Sequence, residues 1–155
     1  MGDQALRENI RLVSALFELG KAGWQEIRLV GEAAAGDGST AVQVLNLMDA
    51  SKASTYEELG GLLGDALLVW GDVRPSLAEA SFLAIDRIAH QLDETRVSPA
   101  EGARQLREIA RLVPEVAEML RPMVFLIGEW EDDQSNRTRY EADIVAEAAR
   151  MLQGR

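Results

Sequence analysis

The chain has 155 residues, enough for one domain, with 47% hydrophobic and 27% charged residues, the balance of an ordinary globular protein. Its formal net charge of −10 repels the phosphates of nucleic acids and anionic membranes, so neither is expected as a partner, whereas a cationic protein is permitted. With no cysteine and a single histidine, a disulfide framework, thiolate chemistry and the usual zinc sets are excluded.

The N-terminus MGDQALRENI carries charges of both signs and no apolar core of a leader. The apolar runs ALLVW and MVFLI fall far short of the roughly 20 residues that cross a bilayer. The chain is therefore read as soluble and cytoplasmic.

Apolar spacing near 3.6 residues dominates. Leu6, Ile10, Val13 and Phe17 share one helical face, and Gly20 follows as a stop. From Trp24 to Ala50 two patterns compete. EIRL and VQVLNL alternate, and GDGS could turn between them, which would give an α+β fold with a hairpin at about 25–48. Against this, Trp24, Ile27, Val30 and Ala34 fit a helical face, and Thr40 with Gln43 has the spacing of a capping box. Two short helices are the favoured reading.

Thr55 and Glu58 cap a helix whose stripe is Leu59, Leu62, Leu63, Ala66, Val69 and Trp70, ended by Gly71. Gly60, Gly61 and Gly64 weaken that helix by about 1 kcal/mol each against alanine, so close approach of another helix is expected over the Gly60/Gly64 edge, inside the domain or across a dimer. Pro75 opens a helix from about Ser76 to Glu94. Ser98-Pro99-Ala100-Glu101 starts another that runs to about Val113. Pro114 opens a helix through Trp130 that Pro122 should kink, and Thr138, boxed by Glu141, starts the last. The expected fold is all-α: one helical domain over residues 1–155, with about seven to eight helices.

The chemical motifs mostly fail. Gly31-x4-Gly36 has the glycine spacing of a phosphate loop, but Asp37 and Gly38 stand where lysine and serine or threonine belong. A turn is the better reading. Asp86, His90 and Glu94 share a helix face that points away from the apolar stripe, which favours a solvated surface over a metal site. Arg104, Arg107 and Arg111 form a basic row expected to pair locally with Glu101 and Glu108. No pattern recommends a catalytic residue, a cofactor or a metal.

The stretch EWEDD, Glu129 to Asp133, is the main positive clue. Glu131, Asp132 and Asp133 sit at a helix C-terminus, where the macrodipole disfavours negative charge. Local pairing with Arg137 and Arg139 would account for them. A surface retained for a cationic partner would do so too. The expected function is thus a non-catalytic protein-binding module with Glu129, Trp130, Glu131, Asp132 and Asp133 as its contact. An acidic immunity- or antitoxin-type inhibitor and a homodimerising adaptor both fit that description. The competing class is a small-molecule-binding bundle or enzyme with a pocket among Trp24, Trp70, Phe82 and Trp130.

Overall fold

In a computed structural model, residues 2–154 are described. Met1 and Arg155, the two ends of the domain span read from the sequence, lie outside them. All regular structure among the described residues is helical, in nine α-helices and two short 3-10 turns. The hairpin considered for residues 25–48 is replaced by helices. Contacts gather the chain into two compact units, residues 1–80 and 81–155.

The first unit holds α1 (Asp3–Glu18), α2 (Trp24–Gly36), α3 (Val42–Leu45), a 3-10 turn (Asn46–Asp49) and α4 (Tyr56–Leu68). Its core joins Leu6, Ile10 and Phe17 to Ile27, Ala34, Val44, Leu47, Leu59, Leu63 and Leu67, each residue drawn from the apolar face of its helix. Burying each of the large side chains contributes about 1.5–3 kcal/mol. Gly31, read from the sequence as part of a turn, lies inside α2. A Cβ there would stand 2.8 Å from the Met48 backbone nitrogen and 2.9 Å from the Leu47 Cβ, so its missing side chain lets α2 and the 3-10 turn meet.

The helix caps sort into those that form and those that do not. Thr55 and Glu58 complete their reciprocal box at 3.2 and 3.1 Å. Thr40 and Gln43 do not, because α3 starts one residue later with Ala41 at its cap position. Ser76 and Glu79 form a box that the sequence reading passed over, with the Ser76 hydroxyl accepting from the Glu79 N–H at 3.2 Å.

Helix α5 (Leu77–Asp93) carries the chain from the first unit into the second. Thr95 follows it with φ +57, in the left-handed region that Gly20, Gly38 and Gly71 occupy after other helices. Its N–H donates to the Leu92 carbonyl and that of Arg96 to the Gln91 carbonyl, the bonds of a Schellman stop made without glycine.

The second unit continues with α6 (Pro99–Leu112), α7 (Pro114–Ala117), α8 (Arg121–Asp132), a second 3-10 turn (Gln134–Asn136) and α9 (Arg137–Gln153). Ser98 caps α6 by accepting from the Glu101 N–H at 3.3 Å. Pro122 breaks the expected long helix instead of kinking it: α7 stops at Ala117, and α8 begins with Pro122 in its first turn, where no N–H is required. Leu106 and Ile109 of α6, Met123 and Ile127 of α8, and Tyr140 and Ile144 of α9 are buried together as the core of this unit. Leu92 packs onto Gly102, whose Cβ position lies 2.5 Å from a Leu92 methyl.

Candidate functional site

The acidic stretch occupies the last turn of α8 and the corner into α9. Asp133 ends α8 with its N–H bonded to the Glu129 carbonyl at 2.9 Å. The dipole conflict is met locally by Arg137, which bonds the helix C-terminus and not the acids. Arg137 Nε donates to the Trp130 carbonyl at 3.0 Å, placing a cation on the helix C-terminus. Its guanidinium also lies 3.9 Å from the centre of the Trp130 ring, and that of Arg104 lies 5.2 Å from it. Arg139 stands over Tyr140 at 5.0 Å.

Glu131 reaches back to α6. Arg107 Nη2 donates to its Oε1 at 2.7 Å, and Arg104 Nε lies 3.7 Å away. Arg104 and Arg107 of the basic row thus meet Glu131 of the acidic stretch, a pairing between helices that the sequence reading did not consider. The hydrogen bond from Arg107 holds the Glu131 carboxyl below its ordinary titration range, with Arg104 adding to the effect.

Asp133 accepts from Asn136 Nδ2 at 2.7 Å, Ser135 Oγ at 2.8 Å and Tyr140 OH at 3.2 Å, and the first two of these lead in lowering its pKa. These bonds gather the corner before α9, and the expected Thr138–Glu141 box is not formed. Asn136 occupies the cap position, and Glu141 instead accepts from Trp130 Nε1 at 3.1 Å. Tyr140 also faces Glu129 at 3.4 Å, and burial leads in raising its phenol pKa. Asp132 is exposed. Both carboxylate shifts run away from neutrality, opposite to what a general base at neutral pH requires.

The glycines of α4 show a second arrangement. What lies over Gly60 and Gly64 is the side chain of Arg74, its guanidinium against Gly60 and its Cδ 3.6 Å from the Gly64 Cβ position. Arg74 is held by Glu18, with Nε to Oε1 at 2.9 Å, and stands 5.6 Å from the Phe17 ring centre. Phe17 in turn stacks on Tyr56 at 4.5 Å.

The outward side of α4 was missed at the sequence level. Leu68 is 61% exposed and Val69 42%, and Val42 from α3 is 63% exposed. Asp65, Leu68, Val69 and Gln43 line an open depression of about 470 Å³. A signal was available: Leu67, Leu68 and Val69 are consecutive, and three successive residues sweep about 200° of a helix, too wide for one buried stripe. The stripe reading took Val69 for the core and left Leu68 aside.

His90 lies 3.7 Å from Asp86, both side chains well exposed, while Glu94 pairs with Arg96 at 2.8 Å. Among the described residues no group of three potential ligands could hold a metal ion. Trp24 and Trp70 pack against the core of the first unit, where Trp70 Nε1 donates to Asp3 at 2.9 Å, whereas Phe82 and Trp130 belong to the second. No helix among the described residues is long and apolar enough to cross a membrane. Compared with family models, curated proteins and solved structures, the chain matches none of them.

Proposed function

We propose that this chain is a non-catalytic protein-binding module for a cationic partner. The observation that carries the reading is the exposed apolar pair Leu68 and Val69 beside Asp65 and Gln43, an open surface rather than an enclosed pocket. Acidic residues outnumber basic ones in both units, twelve to six in the first and fourteen to ten in the second, which favours encounter with a basic protein. An inhibitor that masks a basic surface is the form of this role that the charge favours, and an adaptor that pairs with its own kind is the alternative to a cationic partner.

The α8–α9 corner contributes less to that role than its charge suggests. Glu131 and Asp133 spend their acceptor capacity on Arg107, Asn136, Ser135 and Tyr140, so a partner would compete with bonds already made. Asp132 is the acid of that corner most open to a partner.

Native mass spectrometry of the protein, purified gently from its own source, tests the reading. The expected spectrum holds a second protein chain. A small-molecule or metal adduct on an otherwise solitary chain would contradict it.

A further inference from the structure

We propose that the outward face of α4, from Glu57 through Gly61 and Asp65 to Leu68, with Val69 and Gln43 beside it, docks an amphipathic basic helix of the partner. This rests on the protein-binding reading above and names the surface and the chemistry of the occupant.

Residues 57, 61, 65 and 68 follow one another at helical spacing, and all four are exposed, so they form a single row along α4. The row has two halves of different character. Leu68 and Val69, lining the depression with Gln43 of α3, offer apolar surface at the C-terminal end. Glu57 and Asp65 carry charge along the rest, and neither has an ion-pair partner among the described residues. The last turn of α4 contains no basic residue, so the negative end of its dipole adds to the same sign. The complementary occupant has leucine-like side chains for one end of the row and lysines or arginines for the other.

Gly61 shows how closely such an occupant can approach. The neighbouring glycines are used within the chain, Gly60 and Gly64 by Arg74, but a Cβ at Gly61 would meet nothing within 4 Å. A helix interior disfavours glycine, and no contact inside this chain draws on its small size there. A helix laid along the row would, because the missing side chain lets its backbone come near. Helix-in-groove recognition suits a helical row, whereas strand addition needs an open sheet edge, and the described residues contain no strand.

The test is an amide chemical-shift titration of the full chain with a designed leucine–lysine amphipathic helix. The same peptide with glutamate in place of lysine serves as control. The expected shifts centre on Gln43, Asp65, Leu68 and Val69, and affinity drops roughly tenfold between low and high salt. The double variant L68S/V69S, at exposed positions that leave the core intact, should lose binding by roughly tenfold or more.

Absence of binding, equal binding of the glutamate peptide, or binding that L68S/V69S does not alter overturns the proposal. Self-association of the chain that L68S/V69S abolishes would put a second copy on the face and overturn the basic occupant. A partner chain that stays with L68S/V69S in native mass spectrometry overturns this surface while leaving the protein-binding reading standing. A solitary chain carrying a small molecule overturns the reading itself.

Discussion

Arg107 on α6 and Glu131 on α8 meet with Nη2 and Oε1 2.7 Å apart, although 24 residues separate them in the chain. The pair ties the helix that Ser98 starts to the helix that Pro122 starts, at the end of α8 where Trp130 is covered by two guanidinium groups. A charged contact that joins two helices this way responds to pH in a direction that can be worked out.

The Glu131 and Asp133 carboxyls titrate below their ordinary values in the folded chain. The unfolded chain therefore takes up these protons first as pH falls. Their contribution to stability is complete above about pH 5 and is lost as pH falls through the folded values. We expect E131Q and D133N to lower the urea midpoint at neutral pH, with the gap to the wild type closing as acid is added. A gap that stays constant down to acid unfolding would contradict the assignment.

Two glycine substitutions in neighbouring helices should move stability in opposite directions. G31A forces a Cβ against the backbone of Met48 and the side chain of Leu47 and should destabilise by about 1–3 kcal/mol. G61A meets open space in the interior of α4 and should stabilise by about 1 kcal/mol. Urea unfolding monitored by circular dichroism reads both.

Thr95 holds φ +57 after α5, a conformation that crowds a β-branched residue. T95G relieves the crowding and keeps the two Schellman bonds, so we expect a gain of about 1 kcal/mol in unfolding free energy. A loss of stability would show that the threonine side chain contributes something that outweighs its strain.

Leu106 is fully buried in α6 at the centre of the second unit. L106A should cost about 2–5 kcal/mol by transfer and cavity terms together. The thermal transition of the variant checks it.

Local chemistry was the part of the fold most readable from sequence. The stripe Leu6, Ile10 and Phe17, and the Thr55–Glu58 box, depend on residues within a turn or two of one another, and both appear as expected. Where two local options competed, tertiary context chose. Glu141 has the spacing to box Thr138, but with α8 packed against α9 it accepts from the Trp130 indole. Pro122 was compatible with a kink or a fresh start, and the first turn of α8 takes it without losing a bond.

The candidate site was legible only as composition. Spacing placed four acids around Trp130, but the cations of Glu131 are Arg104 and Arg107 on another helix, which no periodicity within 129–143 can reveal. The α4 face escaped for the converse reason. A stripe argument asks which residues point inward, and Leu68 matters here because it points out.

The most direct test of the account is the affinity of the co-purifying partner for the wild type and for L68S/V69S, measured across a salt series. The account predicts binding that weakens steeply as salt rises and that the double variant loses by roughly tenfold or more. A partner held equally by both proteins, or held with no dependence on salt, would contradict it.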